Sequence, residues 1–592
     1  VSLIGTAHAQ TGRLASRQLL WPLESTNVFI NGSQQQSALP LRTQTGRAML
    51  PLREFARIFP APLEATQSGL RLGKLELYPA VKLVRLDGKQ MALSDVGAII
   101  DGNTYIAAKV FEVALNATVA FDRVQRVVTV TVSRNRVAGV RLPVARFATD
   151  KREYRLGEPV RIVEYSYDPD GLPITNLSYT GREDAYFTPG TRTISLIATN
   201  AQGRASEPYS VTIRVSNDTL YSPREYALRF TPLGKTFFDQ NVLTYPIFTP
   251  NRADDPTPIL LSDSPEQPNQ SGLLYTDTIE GNARLIAYHI NPVQVPGRVL
   301  VMVSNLEPTP VDVRVLRFGE TSSTQIEALL GQVSLLDFLT SPMRESLRLI
   351  QSQTTALYLS APLETEQGVN LKMDLETTGR VTVSVYFLEE STFRVNPVTA
   401  TQNELLDALL ELPVLDMDSN HVRGTFPGAV RRLKLDLGAL PPGAASRLVL
   451  GDNVADPALT GQDAITGKDV TLLGNYGVTY KVTLENAVGT VGALVPRGGP
   501  YSGAIRVQGM YMSVPNSGVL LRNDLPFVVY RSHASHPDGR VEIEFVPASG
   551  SFLPVNLVLY RLETSGSASK PPAQNTTNTP TPSNPPNAIR PR

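Results

Sequence analysis

The sequence has no cysteine, only five histidines and no excess of either charge: 55 Lys and Arg balance 55 Asp and Glu over 592 residues. The missing cysteine excludes disulfides, zinc ribbons, iron–sulfur clusters and thiol nucleophiles together. The charge balance argues against a general nucleic-acid binder, whose phosphate contacts need a basic excess, and equally against an acidic tail protein. After the first few positions no apolar run approaches the roughly 20 residues of a membrane-spanning helix, so no transmembrane span is predicted. No Gly-x-Ser-x-Gly or His-Glu-x-x-His motif and no obvious catalytic carboxylate pair appears, although glycosidase partners can lie far apart in sequence. What is present is a chain 42% hydrophobic, able to bury cores. Its length corresponds to about three to five domains of ordinary size.

The two ends differ from the middle. Val1 to Gln10 resembles the last part of a secretory signal peptide, with small residues at Ala7 and Ala9 ahead of a cut before Gln10, so residues 1–9 are read as a signal-peptide remnant of an exported protein. Export without cysteine suits the envelope of a Gram-positive type of bacterium. Residues 564–592 are Ser, Thr, Asn and Pro with almost nothing apolar, which predicts a disordered tail. No sorting motif with an apolar stretch and basic end is seen there, which leaves the tail as a spacer or a free end.

An internal repeat lies near the N-terminus at an offset of 56 residues. Val28-Phe29-Ile30-Asn31-Gly32 aligns with Val84-Arg85-Leu86-Asp87-Gly88, and Gly46 to Phe55 aligns without a gap on Gly102 to Phe111. Each copy reads as a strand, an Asn-Gly or Asp-Gly hairpin turn, a second strand, a helix and a closing strand. Pro51 fits the first helical turn. Leu52, Phe55, Ala56 and Phe59 share one helical face, as do Val110, Phe111, Ala114 and Leu115. The pattern of a strand ending in Asn-Gly, then Gly-Arg-x-x-x-Pro-Leu-Arg with a helix, then Ala117-Thr118-Val119-Ala120-Phe121-Asp122 and an alternating strand resembles the copper amine oxidase-like N-terminal domain, or stalk domain, of exported bacterial proteins. The resemblance covers residues 26–133 and departs from the family pattern at Asn103, Ala107 and Lys109. It implies a fold and no chemistry. The family's namesake enzymes use three His, two of them as His-x-His, beside a quinone formed from Tyr in Asn-Tyr-Asp/Glu. Here His8, His289, His421, His533 and His536 contain no such pair, and Asn475-Tyr476 is followed by Gly477. The residues therefore argue against copper-dependent oxidation.

Residues 144–216 are β in texture, with alternation at 158–167 and 191–199 around an Asp168-Pro169-Asp170-Gly171 turn. This part resembles an immunoglobulin-like domain of the polycystic kidney disease (PKD) type. Asp168 and Asp170 are open to Ca²⁺ binding, but a plain turn explains them as well. Residues 218–396 and 410–563 read as two further β-sandwiches of unknown function, open to sharing one interface. Helices at 325–339 and 403–412 interrupt them, the second with Leu405, Leu406, Leu409 and Leu410 on one face. The fold class expected is thus mainly β, a string of β-sandwich modules behind a small α+β N-terminal domain.

Three constellations have a chemical reading and a plainer one. Asp416, Asp418, Asn420 and His421 have calcium-loop spacing but lack the loop Gly and terminal Glu, which favours a polar hairpin. Arg497-Gly498-Gly499 lacks the strand-to-helix context of a phosphate cradle. His533 and His536 suit a loop better than a metal pair. No catalytic, cofactor or metal residue is therefore assigned. The chain reads as a non-enzymatic secreted or cell-envelope structural or adhesion protein. An alternative is a wall or matrix glycan binder using exposed aromatics among Tyr476, Tyr480, Tyr501 and Tyr511. A further alternative is a glycan-acting hydrolase with an unrecognised site. The expected partners are a cell-wall polymer, a glycan or another envelope protein, with no nucleic acid and no cofactor.

Overall fold

The computed structural model describes residues 16–564, apart from 60, 62, 67, 134–140, 342–345 and 533–538. The signal-peptide remnant, the tail beyond 564 and His8, His533 and His536 lie outside the described residues. The protein is mainly β, with several sheets forming multiple sandwich-like layers. It divides into two compact units, Val1–Leu220 and Tyr221–Arg592.

In the first unit the repeat closes on itself. The equivalent strands Arg47–Pro51 and Asn103–Ala107 pair antiparallel, and Leu50 is in register with Ile106, its own counterpart one repeat later. The helices that follow, Leu52–Ile58 and Val110–Ala114, bring the equivalent rings of Phe55 and Phe111 to 4.3 Å between centroids. Two copies of one sequence thus meet about a local dyad, each burying the helical face that the other needs covered. The hairpin dipeptides work as their chemistry requires. Asn31-Gly32 and Asp87-Gly88 all take positive φ, from 47° to 83°. Pro51 sits one position earlier than expected: it ends the strand and caps the first helix from outside. Residues 144–219 form a sandwich around Phe147, Tyr154, Ile194, Leu196 and Ile213.

The second unit is larger. A six-stranded sheet, in the order Asn251–Asp254, Val430–Asp436, Thr479–Glu485, Val541–Phe545, Gly503–Val507, Met510–Val514, faces a four-stranded sheet built on Val555–Arg561 and Thr490–Pro496. Their inner faces share one core, in which Leu433, Leu435, Val482, Ile505 and Ile543 meet Leu448, Leu494, Phe527 and Leu557. A ten-stranded sheet, with its own core of Leu285, Val301, Val313, Leu371 and Val383, is built on two long strands, Gly272–Ile290 and Gly368–Glu389. These strands are much longer than the short runs visible in the sequence. They survive their internal glycines because the register shifts there, for example between Ile279 and Gly281.

The expected separation at 396–410 does not coincide with a break in hydrogen bonding. Pro258–Ser262 pairs with Arg423–Pro427 on one side and with Gly272–Ile290 on the other, and Asn251–Asp254 joins the six-stranded sheet. The two interrupting helices are found at Glu327–Thr340 and Gln402–Leu410. In the second, Leu405, Ala408 and Leu409 are buried while Leu410 is 84% exposed, because it falls about 100° round the helix from Leu409.

Candidate ligand-binding face

The constellations singled out in the sequence are drawn into local structure. Asp168 accepts hydrogen bonds from the Asp170 backbone N–H at 2.8 Å and the Asn200 side chain at 2.7 Å, and Asp170 pairs with Arg141 at 2.7 Å. The Asp168 carboxylate thus closes the turn, and that of Asp170 is taken by an ion pair outside it. Asp418 likewise accepts backbone N–H groups from Asn420 and His421, closing its own loop, while Asp416 points outward and exposed. Gly498 lies against the Leu553 carbonyl, where a Cβ would come within 1.9 Å, so its role is close packing. Of the four tyrosines, Tyr480 and Tyr501 are core residues. Tyr476 is partly buried, with its hydroxyl donating to the Ser551 carbonyl. Tyr511 alone of the four is exposed, at 41%. A stacking platform of all four does not form.

The outer face of the six-stranded sheet shows a different pattern. Along Val430–Asp436, the leucines at 433 and 435 point into the core, so Arg432 and Lys434 must point out. The same alternation sends Lys481 outward between Tyr480 and Val482, and Arg506 outward between Ile505 and Val507. Register then aligns these side chains into a row across the strands. Arg432 pairs with Lys481, Lys481 with Glu544, Glu544 with Arg506, and Arg506 with Tyr511. A second row runs alongside it from Asn251 through Lys434 and Thr483 to Glu542.

Apart from Tyr511 at the end of the first, the rows floor a cleft of about 860 Å³. Seven of its lining side chains are Lys or Arg, and two, Glu542 and Glu544, are acidic. Glu544 is held between Arg317 at 2.9 Å and Arg506 at 3.2 Å. Burial works to raise its carboxyl, but the hydrogen bond and charge of Arg317, with Arg506 and Lys481, outweigh that and keep it below the usual carboxylate range. Lys434 pairs with Glu485 at 2.8 Å and Arg540 with Glu542 at 2.6 Å. Arg432 and Lys481 are both exposed, and among the described residues neither has an ion pair or a side-chain hydrogen bond. Two adjacent cations without an ion-pair partner, Lys481 opposite a Glu544 already held by two arginines, with further cations around them, make a positive patch on a chain whose net charge is zero.

A second concentration of titratable groups lies deeper in the same unit. His289 donates from Nδ1 to the Pro265 carbonyl at 3.0 Å, which leaves Nε2 to accept from the Ser262 hydroxyl at 2.9 Å. The pairing has the atoms of a nucleophile and a base. Both residues are fully buried, however, and burial pushes the imidazole down to about 4. His421 sits between Asp418, at 3.0 Å from Nδ1, and Glu266, at 2.9 Å from Nε2. Burial raises Glu266, with the charges of Glu327 and Asp418 adding to it against His421. Burial, then Glu266 and Asp418, push Asp263 well above the ordinary carboxylate range. Lys372, buried and pushed down to about 7 by burial and then by Arg284, donates to Asn370 at 2.8 Å and Ser334 at 3.0 Å. Such perturbed groups often mark function. Here Asp418 and His421 tie their loop to Ser264 and Glu266 in the 262–266 segment, and the arrangement is that of a polar joint.

No protein-family model matches the chain, and no curated protein matches it. Among solved structures the chain is similar to a carbohydrate-binding module of the β-sandwich superfamily, at 14% identity over 41% of this chain and 96% of that one, with a TM-score of 0.12. It is similar also to the exported protein XepA of PBSX, at 10% identity over 49% of this chain and 86% of that one, again with a TM-score of 0.12. At these values the likenesses carry no functional argument, and the reading of this chain rests on its own geometry.

Proposed function

We propose that this is a non-enzymatic exported binding protein whose second unit holds a polyanionic polymer of the cell envelope or its surroundings. In this reading the repeat at 26–133 is a stalk-type module and the sandwich after it an immunoglobulin-like spacer. The observation that carries the proposal is the row on the six-stranded sheet, where Arg432 and Lys481 stand side by side without ion-pair partners on the floor of a cleft of about 860 Å³. Adjacent cations without ion-pair partners repel one another, and the one acid opposite them, Glu544 across from Lys481, is already held by Arg317 and Arg506. A polymer with regularly spaced negative groups relieves the repulsion and releases its counterions. Binding should therefore weaken steeply with salt, each lost contact lowering the log–log slope by roughly 0.7 to 0.9.

The test uses the full chain and a set of soluble polyanions at two salt concentrations. The parent should bind with a marked salt dependence, and Arg432→Gln with Lys481→Gln should weaken binding at least tenfold and flatten the slope by roughly 1 to 2. Binding unchanged in the double variant, or no binding of any polyanion, would overturn the proposal.

A further inference from the structure

The cationic row does not consist of cations alone, and the other groups narrow what can lie on it. Glu544, buried and held by Arg317 and Arg506, is in the middle, and the exposed Glu542 is beside it in the second row. The Glu542 carboxylate at the centre of the face repels a polymer that carries phosphate at every step but accepts hydrogen bonds from hydroxyl groups, and Glu544 takes up the charge of Arg317 and Arg506 that a phosphate would otherwise meet. Asn251 and Thr483 add an amide and a hydroxyl to the second row. Tyr511 ends the first row. The Arg506 guanidinium lies over its ring, 5.3 Å from the centroid, and the residue as a whole is still 41% exposed. Successive strands bring the side chains of the row about 4.8 Å apart, close to the length of one sugar ring with its glycosidic oxygen.

We infer that the polymer is an acidic polysaccharide laid across the strands, with its acid groups on Arg432 and Lys481, its hydroxyls toward Glu542, Thr483 and Asn251, and one sugar ring packed on Tyr511. This rests on the polyanion reading above and adds to it the chemical class of the chain. Cations supply the attraction. The carboxylates and the aromatic ring supply the discrimination, since they favour hydroxyl-bearing rings over bare charge. Tyr511 is on this account a specificity-determining residue that contacts the ligand.

The experiment measures binding of the full chain to four probes at one ionic strength: a linear polyuronate, an inorganic polyphosphate, a single-stranded DNA and an uncharged dextran. The polyuronate should bind best and the dextran not measurably. Tyr511→Ala should weaken the polyuronate roughly three- to tenfold and the polyphosphate less than twofold, while Tyr511→Phe keeps the parent's affinity. Polyphosphate or DNA binding as tightly as polyuronate would overturn the inference and leave the polyanion reading standing. So would a Tyr511→Ala variant, folded by circular dichroism, that loses equally toward all probes or toward none. Loss of all binding in the parent would defeat both.

Discussion

The buried amine of Lys372 offers the sharpest test of how the second unit is held together. Its side chain is in the core, pushed down to about 7 from an ordinary 10.5, and its partners are the neutral oxygens of Asn370 and Ser334. Between pH 7 and 10.5 the unfolded chain still holds a proton that the native state has released, so the stability of this unit should rise with pH across that window. At roughly 1.36 kcal/mol per unit of displacement, the native state is penalised by up to about 5 kcal/mol at pH 6 and about 1 kcal/mol at pH 10. Lys372→Met removes the penalty, keeps most of the volume and strands two acceptors, which costs about 2 kcal/mol. The variant should therefore be more stable than the parent by about 2 to 3 kcal/mol at pH 6 and less stable by about 1 kcal/mol at pH 10. Urea titrations at pH 6, 8 and 10, followed by far-ultraviolet circular dichroism, measure the difference. Trp21, the single tryptophan and fully buried in the first unit, lets the transition of that unit be followed separately. A difference that stays flat across the three pH values would mean that the amine remains charged in the folded state, balanced by Asp263, and would refute the reasoning.

Two further outcomes test the joint and the packing. Backbone N–H groups of Glu266, Asn420 and His421 and the His421 ring hold Asp418 down to about 2 despite burial that works to raise it, so its contribution is present above pH 3.8 and lost as pH falls through 2. Asp418→Asn should accordingly cost about 1 to 2 kcal/mol at pH 7, after discounting for its partial exposure, and the cost should fade by pH 2 when urea midpoints are compared. Gly477 has φ of +80°, and a Cβ there would meet Ile286 at 1.8 Å, whereas Gly467, at +71°, has nothing within 4 Å. Thermal unfolding should show Gly477→Ala losing about 2 to 4 kcal/mol and Gly467→Ala only about 1 kcal/mol, the cost of the left-handed backbone alone.

What could be read in the sequence was what local chemistry decides. The hairpin dipeptides Asn31-Gly32 and Asp87-Gly88, the helical face of Leu52, Phe55 and Ala56, and the alternation through Leu433 and Leu435 each depend on a few neighbouring residues, and each is found in the structure. The dyad in the first unit was not legible, although the 56-residue offset contains it. A repeat says that two segments fold alike, and only pairing shows that Leu50 meets Ile106. Leu410 went wrong for a related reason: Leu405, Leu406, Leu409 and Leu410 are too many leucines for one stripe, and only the surface they meet decides which of them it covers.

The candidate face shows the limit most plainly. Arg432, Lys481, Glu544, Arg506 and Tyr511 come from five strands whose order on the sheet, from Val430–Asp436 through Thr479–Glu485 and Val541–Phe545 to Gly503–Val507 and Met510–Val514, is not their order in the chain. Arg432 and Lys481 are far apart in the sequence, and the local run Arg431-Arg432-Leu433-Lys434 does not show that Arg431 is buried and paired while Arg432 is not. The balance of 55 against 55 over the whole chain hides it further, because compensation elsewhere says nothing about one face. Net charge governs how the whole molecule behaves in a distant field, whereas a ligand within a Debye length, roughly 8 to 10 Å, feels only the face it is on. Neutrality and a strongly cationic cleft are therefore compatible. The sequence-level argument against nucleic acid keeps its force only for bulk attraction, and at the face itself the discrimination passes to Glu542, Glu544 and Tyr511. If those three residues are what separates a polyuronate from a polyphosphate, exchanging both glutamates for glutamine should narrow that preference by admitting the more densely charged chain.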